Sequence, residues 1–548
     1  MTKYTDDGDE RDDSSAILPT EQTRLLISTA ITSQQQQQEA DDDTTFTTTD
    51  DCLERRRARL RPRVVILTFS VLFLLALGQF VTSPAINAVM ESIICRDMHP
   101  EVLGAGDSAS RRNALFLFTD TVCKDDKVQS RLATLRGWAN TFECIPGMIG
   151  AVPYGILSDR WGRKPVLALS MVGVCLSYVF NYAVFLFSGI VPLWLMWFSA
   201  VFMFIGGGAP VLTAMLYTFL ADVVPVTERA TAFFQLGAVF LTAQMIAGPL
   251  AGIMMGGNHP WRPLLVGLGM LVLGSLMIPA IPETVQLRNV QESRPEEQEV
   301  NDTSSEELDD PKPATSHMAN LWRKARDGLA AVQHFILSNQ SVSFLMISLI
   351  FLIIGRYSSE ILLQYARNRY QWDWSEAAYL MTVLGATSLF NLLVIMPAAT
   401  WLCLDYFRMS ASAKDILLAR ISMTVLVVAC LLIAAATNGW LLAVGLVGLG
   451  LGSGSPGLIR SVLNTLVEKH HVGMLNTLIG LMENIGLMMA GPILAKCFGV
   501  GKSRGGAWLG LPFIAAALFN CVTLLVLCIF RLPVSQASRR RLSVGSGI

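Results

Sequence analysis

The chain is short of charge. Only 16% of its 548 residues are Asp, Glu, Lys or Arg, while 52% are hydrophobic; soluble domains carry about 25% charged residues. A water-facing globular surface is therefore excluded for most of its length. The net charge of -1 offers no bulk attraction to nucleic acid, and none is expected as a partner. The six histidines never form an H-E-x-x-H arrangement. No nucleophile, base and orienting group follow one another in a recognisable order, so no metal, no cofactor and no enzymatic activity are expected. The ten cysteines lack C-x-x-C spacing. Most, such as Cys175, Cys430 and Cys521, sit in apolar runs and read as small hydrophobes. The first sixty residues are polar, so no secretory leader is expected there.

Long apolar runs are what the chain has. A bilayer crossing needs about 20 apolar residues, and twelve stretches qualify: 64–90, 132–157, 166–187, 191–220, 230–256, 262–281, 340–366, 375–402, 418–437, 440–465, 474–498 and 508–530. The class is therefore an all-α membrane protein. The divisions are a disordered cytoplasmic tail 1–60, a six-helix bundle 61–283, a cytoplasmic linker 284–338, a second six-helix bundle 339–531 and a cytoplasmic tail 532–548. The tail is acidic, then Gln-rich, then Thr- and Asp-rich, too poor in apolar area to fold alone. It holds an acidic dileucine pattern at Glu21 to Leu26, which fits a vacuolar or endosomal address; the plasma membrane is the other expectation. Arg55, Arg56, Arg57, Arg59, Arg61 and Arg63 precede the first span and place the N-terminus inside. The even span count returns the C-terminus to the same side. The sequon at Asn301 then lies on the cytoplasmic side, unused.

The best-marked turn is Gly155 to Leu167, GILSDRWGRKPVL. Asp159, Arg160, Arg163 and Lys164 cannot sit in hydrocarbon, so the chain leaves the bilayer there. Gly162 suits a tight turn and Pro165 the first turn of the next helix. The basic residues put this turn in the cytoplasm. The opposite loop, 91–131, holds Cys95 and Cys123; an oxidising exterior would allow them to pair, though spacing alone says nothing of geometry.

The halves repeat. Pro210 and Asp222 in the fourth span match Pro456 and Glu468 in the tenth, both at an offset of 246 residues, and Gly237 and Gly248-Pro249 match Gly480 and Gly491-Pro492 at 243. Two ordered matches suggest duplication, and paired halves around a cavity are a usual carrier architecture. Gly248, Pro249, Gly252, Gly491 and Pro492 are read as helix-packing positions. Charges inside spans are costly and tend to face a cavity or each other. Arg136, Asn140 and Glu143 share one face of the second span, and Arg356, Glu360 and Gln364 one face of the seventh. Arg460 marks the tenth span and Glu483 the eleventh. These residues are candidates for substrate binding or proton coupling, with Glu143 and Glu483 foremost; structural ion pairs and headgroup-level charges are the other readings.

The loop Gly155-x-Leu157-x-Asp159-Arg160-x-Gly162-Arg163-Lys164 resembles the signature between the second and third helices of the major facilitator superfamily. Pro282-Glu283-Thr284 and Asp222 with Glu228-Arg229 resemble the family too, and the acidic tail with its dileucine resembles fungal members. The resemblance covers about residues 64 to 530. It implies two pseudo-symmetric six-helix bundles and gating roles. Gly155 would allow a close helix contact, Asp159 would contact the eleventh helix, and Arg163 would lock to Asp222, with Arg160, Gly162, Lys164 and Arg229 in the same gate. Gly248-Pro249-x-x-Gly252 partly resembles the fifth-helix motif of proton-coupled exporters. Ile253 departs from that motif, and Gly206-Gly207-Gly208 lacks the basic residue of drug exporters. The outer loop with two cysteines resembles the group that includes proton-coupled folate carriers. Import or export therefore stays open. The leading expectation is a monomeric, proton-coupled secondary carrier of a small organic solute. A facilitative uniporter and a non-transporting transceptor or membrane scaffold are the alternatives.

Overall fold

A computed structural model describes residues 21–99, 121–225, 228–256, 259–284, 340–466 and 472–530. Most of the outer loop, the linker with its sequon, the C-terminal tail and residues 1–20 lie outside the described residues. The chain divides into two units, Met1–Arg61 and Pro62–Ile548. The first carries helical backbone from Glu21, where composition predicts disorder; Glu, Gln, Leu and Arg are all good helix formers. Everything below concerns the second unit.

Secondary structure among the described residues is helical throughout. Eleven helical stretches are long and apolar enough to cross a membrane: Arg59–Met98, Arg163–Leu186, Leu193–Val223, Thr231–Met255, Trp261–Ala280, Val342–Tyr370, Trp374–Tyr406, Ala411–Ala435, Gly439–Leu466, Leu478–Arg504 and Gly506–Ile529. One more helix, Asp126–Trp161, has 36 residues; its interior charges keep it out of a pure hydropathy test. In chain order these are spans 1 to 12, with Asp126–Trp161 as span 2.

Several spans run past the ends that hydropathy predicts. Span 1 continues to Met98, span 2 starts at Asp126 and span 7 reaches Tyr370. Hydropathy stops a span where charge begins, but Glu91 and Arg367 in these extensions are buried, while Asp97, Asp126, Lys127 and Arg131 stay exposed. Two spans are also broken. Span 4 consists of Leu193–Phe198, Ser199–Met203 and Gly208–Val223, parted at Gly206-Gly207-Gly208 with φ of +90°, +76° and +67°. Span 10 consists of Gly439–Leu451, a 3₁₀ turn Gly452–Gly454 and Ser455–Leu466. Gly206 and Gly452 stand 246 positions apart, the offset of the repeat. The break in span 4 needs glycine: a Cβ on Gly206 would stand 2.3 Å from the Ser170 backbone. Span 8 takes two π-helical segments, Asn391–Ile395 and Leu402–Tyr406. Pro397 follows the first and has no N–H to give a regular ladder. Asp405, which stands 246 positions after Asp159 and so matches it in the repeat, lies exposed in the second.

Lipid supplies no hydrophobic force between helices, so close packing has to hold them together. Two seams carry it across the halves. Span 2 meets span 11 where a Cβ on Gly491 would stand 2.3 Å from the Gly137 carbonyl oxygen. Span 5 meets span 8 where a Cβ on Gly248 would meet the Thr382 hydroxyl at 2.3 Å and one on Gly252 the Ser375 carbonyl at 3.0 Å. Pro249 and Pro492 lie inside these helices. Both seams sit toward the end that bears Cys95 and Cys123. Toward the end that bears Gly155–Leu167, a Cβ on Gly155, Gly237, Gly457 or Gly480 would meet nothing within 4 Å. The halves are joined at the disulfide end and parted at the signature end. The close contact implied for Gly155 is absent from this conformation.

Candidate functional site

The signature turn is built as an ionic knot. Gly162 has φ +103°, so the chain reverses there and span 3 starts at once. The first backbone N–H groups of that helix lack intrahelical acceptors. The Glu283 carboxylate takes two of them, from Arg163 at 3.1 Å and Lys164 at 3.1 Å. Negative charge at a helix N-terminus is favoured by the helix dipole as well. The Arg163 Nε lies 2.7 Å from Asp222 Oδ2 with both side chains buried, and the Thr284 hydroxyl donates to the same oxygen at 2.7 Å. Lys164 Nζ donates to the Pro279 carbonyl at 2.6 Å, near the end of span 6. Arg229 Nε donates to the Val224 carbonyl at 3.3 Å, while Asp159 and Arg160 are exposed. The second half makes the equivalent tie with other groups. Asp415 accepts from Ser461 at 2.6 Å, and Arg420 donates to the Leu527 and Phe530 carbonyls at 2.8 and 3.1 Å, closing the end of span 12.

Of the charged residues singled out inside the spans, Arg136 and Glu360 meet between the halves, while Arg460 and Glu483 pair within the second. Arg136 and Glu360 line one narrow polar crevice with Asn87, Tyr357, Gln364 and Gly491, and its free volume is about 20 Å³. That is room for a single water. Glu143 interacts electrostatically with both Arg136 and Glu360. Asn140 does not reach this group; its amide donates to the Leu487 carbonyl at 2.9 Å, and Thr141 donates to Met488 at 2.8 Å, so both stitch span 2 to span 11. Arg460 Nη2 lies 2.9 Å from Glu483 Oε2, with 45% and 25% of the side chains exposed. Arg356 feels Glu483. Arg136, Glu143 and Glu360 thus form one electrostatically coupled group, and Arg356, Arg460 and Glu483 another. Tyr217 of span 4 stands within the field of Arg460, and Tyr178 and Tyr357 within that of Glu143. Hydropathy does not single out these tyrosines; only their helical register could have.

A third cluster lies at the disulfide end, beyond the predicted span ends. Glu91, Gln129, Arg367, Asn368 and Trp374 are all buried there. Arg367 grips the Glu91 carboxylate through Nε at 2.9 Å and Nη2 at 2.7 Å, and the Trp374 indole donates to it at 2.6 Å. Cys95 and Cys123 are joined in a disulfide. Nearby Lys124 donates to the Gln371 carbonyl at 2.8 Å, and burial, reinforced by the Arg367 charge, holds its ammonium below the usual lysine range. Among the described residues no group of three His, Cys, Asp or Glu could hold a metal ion.

Comparison with known proteins agrees with this architecture. The sequence profile of the Major Facilitator Superfamily matches residues 68–490. The chain is 30% identical over 482 residues to the MFS efflux pump atnC of Emericella nidulans, covering 87% of this chain and 90% of that one. It is 30% identical over 447 residues to the efflux pump ustT of Aspergillus flavus, covering 81% and 84%. Among solved structures, a D-xylose-proton symporter superposes with a TM-score of 0.56 at 14% identity, covering 85% of this chain and 98% of that one. The nucleoside transporter NupG gives 0.55 at 13%, covering 86% and 100%.

Proposed function

Because the chain belongs to the Major Facilitator Superfamily, a family of multi-pass carriers, we propose that it exports a small organic solute in exchange for protons. Transport of a small solute by alternating access is the premise. Coupling, direction and orientation are our reading. The basic signature turn marks the cytoplasmic end, which makes the disulfide end exterior and the present conformation inward-open. Two six-helix bundles related by the repeat account for the matched breaks in spans 4 and 10, since interrupted helices in corresponding positions mark the core of duplicated carriers. Export is favoured over import by the relatives named as efflux pumps.

The observation that carries coupling is the Arg460–Glu483 pair. It joins spans 10 and 11 of the second half, and both side chains are partly exposed. A carboxylate in that position can release Arg460 when it takes a proton and reclaim it on losing one, so protonation and helix contact are linked. Glu143 is the second candidate, tied to Arg136 and Glu360.

The test is transport in proteoliposomes with an imposed pH gradient, after a metabolite screen of cells with and without the protein supplies the solute. Glu483→Gln is expected to abolish gradient-driven accumulation while leaving solute exchange intact. Glu143→Gln, if it does so instead, moves the coupling site to span 2. Solute flux in the wild type that ignores the pH gradient would establish the uniporter. No flux of any screened solute would favour a transceptor or scaffold.

A further inference from the structure

The buried cluster at the disulfide end has no place in the coupling scheme, and its charged groups are densely hydrogen-bonded. The Glu91 carboxylate receives four N–H donors: two from Arg367, one from Trp374 and one from the Gln129 amide. Gln129 is itself held from both sides. Its Nε2 also donates to the Cys123 carbonyl at 3.1 Å. Its Oε1 accepts from Asn368 at 3.0 Å and Gln364 at 3.2 Å, and its backbone carbonyl accepts from Gln364 at 2.8 Å. Arg367 also donates to the Trp372 carbonyl at 3.1 Å, lies 3.6 Å from the exposed Asp373 carboxylate through Nη1, and stacks 5.3 Å over the Trp374 ring. Spans 1 and 2 provide Glu91 and Gln129; spans 7 and 8 provide Gln364, Arg367, Asn368 and Trp374. Every one of these bonds from Arg367, Asn368, Gln364 or Trp374 to Glu91 or Gln129 therefore crosses between the halves. The disulfide braces the first-half side. Cys95 lies one helical turn beyond Glu91 on the same face, and its partner Cys123 presents the carbonyl that orients Gln129.

We propose that Glu91 and Arg367 are a conformational lock: a dry ion pair that holds the exterior end shut, is positioned by Gln129 and the Cys95–Cys123 disulfide, and separates and hydrates as one unit when the carrier opens outward. The physical basis is the asymmetry of buried charge. An intact buried pair gains little net stability, because desolvation offsets most of the Coulomb attraction. Opening returns both ions to water, so the lock stays reversible. Removing Arg367 leaves the Glu91 charge dry without its ion-pair partner, and removing Glu91 leaves Arg367 only the longer 3.6 Å contact to the exposed Asp373; outward opening is then the way to hydrate the buried charge. A pair serving only as glue within the fold would give a different result, a general loss of stability with no preferred direction of opening. The lock does not require proton coupling, so its failure and the failure of the coupling scheme are separate outcomes.

The test is hydrogen–deuterium exchange of the full chain in lipid nanodiscs, comparing wild type, Glu91→Gln, Arg367→Gln and the double variant. Each single substitution is expected to speed exchange at the exterior ends of spans 1, 2 and 7 and to slow it at the cytoplasmic ends of spans 5 and 8. The shift in the opening equilibrium should be on the order of a hundredfold or more. The double variant, with no orphaned charge, should return most of the way to wild type. Trp374→Phe, which removes one donor and no charge, should move exchange in the same direction by a smaller factor. Cys95→Ser with Cys123→Ser should do likewise through loss of Gln129 placement. A double variant no closer to wild type than the singles, in yield of folded protein or in exchange, overturns the proposal. So does exchange that rises equally at both ends.

Discussion

Arg163 and Asp222 illustrate what one buried pair costs and holds. They come from the starts and ends of different helices, and both side chains are almost fully enclosed. Asp222 also accepts from Thr284, so losing its charge removes the Arg163 counter-ion and weakens the Thr284 bond. Breaking a buried pair by neutralising one side costs about 3–5 kcal/mol. Asp222→Asn is therefore expected to lower the thermal unfolding midpoint of the purified carrier by several degrees or more; Arg160→Gln, at an exposed position of the same turn, should leave it within error. An Asp222→Asn midpoint equal to wild type would show that the knot is loose in solution. This pair was legible in the sequence through the resemblance of the turn. The role of Glu283 was not. It acts through backbone N–H groups 119 and 120 residues away, and no local pattern records which helix end a carboxylate will cap.

The elements were legible where lipid alone decides and illegible where partners do. All twelve apolar runs appear as helices, because a bilayer leaves no other way to satisfy the backbone. Their ends were misread wherever charge is neutralised inside protein. Glu91 and Gln129 fall in the predicted outer loop and Arg367 just past the predicted seventh span, yet all three are buried on helices. Span 4 was read as one helix, since three glycines in a row look like an apolar run with low propensity. Glycine also supports a prediction at this scale. A side chain at Gly491 collides with the Gly137 backbone, whereas one at Gly155 meets open space. Gly491→Leu should therefore force the span 2–span 11 seam apart and cut the transport rate at least tenfold, about 1.4 kcal/mol or more. Gly155→Ala should leave the stability of this conformation unchanged, and any transport defect it shows must arise in the opposite state, where the signature end closes. Thermal melts and initial rates on the two variants distinguish the cases; equal losses of stability would contradict the open geometry at Gly155.

At the scale of the whole molecule, the question is which contacts decide the balance between its two conformations. Three kinds join the halves at the disulfide end: the glycine seams, the dry Glu91 cluster, and ties at the rim. The rim tie between Lys502 and Asp126 spans 3.4 Å, with the aspartate side chain 54% exposed. Exposed pairs contribute about 0.2–1 kcal/mol and are screened by salt. Lys502→Gln should therefore shift the opening equilibrium by no more than about fivefold, and raising the salt in the wild type should have the same small effect. Salt should not mimic Glu91→Gln, because mobile ions do not enter a cluster that water does not reach. Exchange rates at the span ends near the disulfide, measured at low and high ionic strength, check both statements. A large response to salt would transfer control of the disulfide end from the buried pair to the rim. The expected insensitivity follows from how the closed end is built. Its charged groups are bonded to one another and its helices touch through glycine, so opening has to break the buried bonds together, and the molecule is held in one of two states instead of a continuum between them.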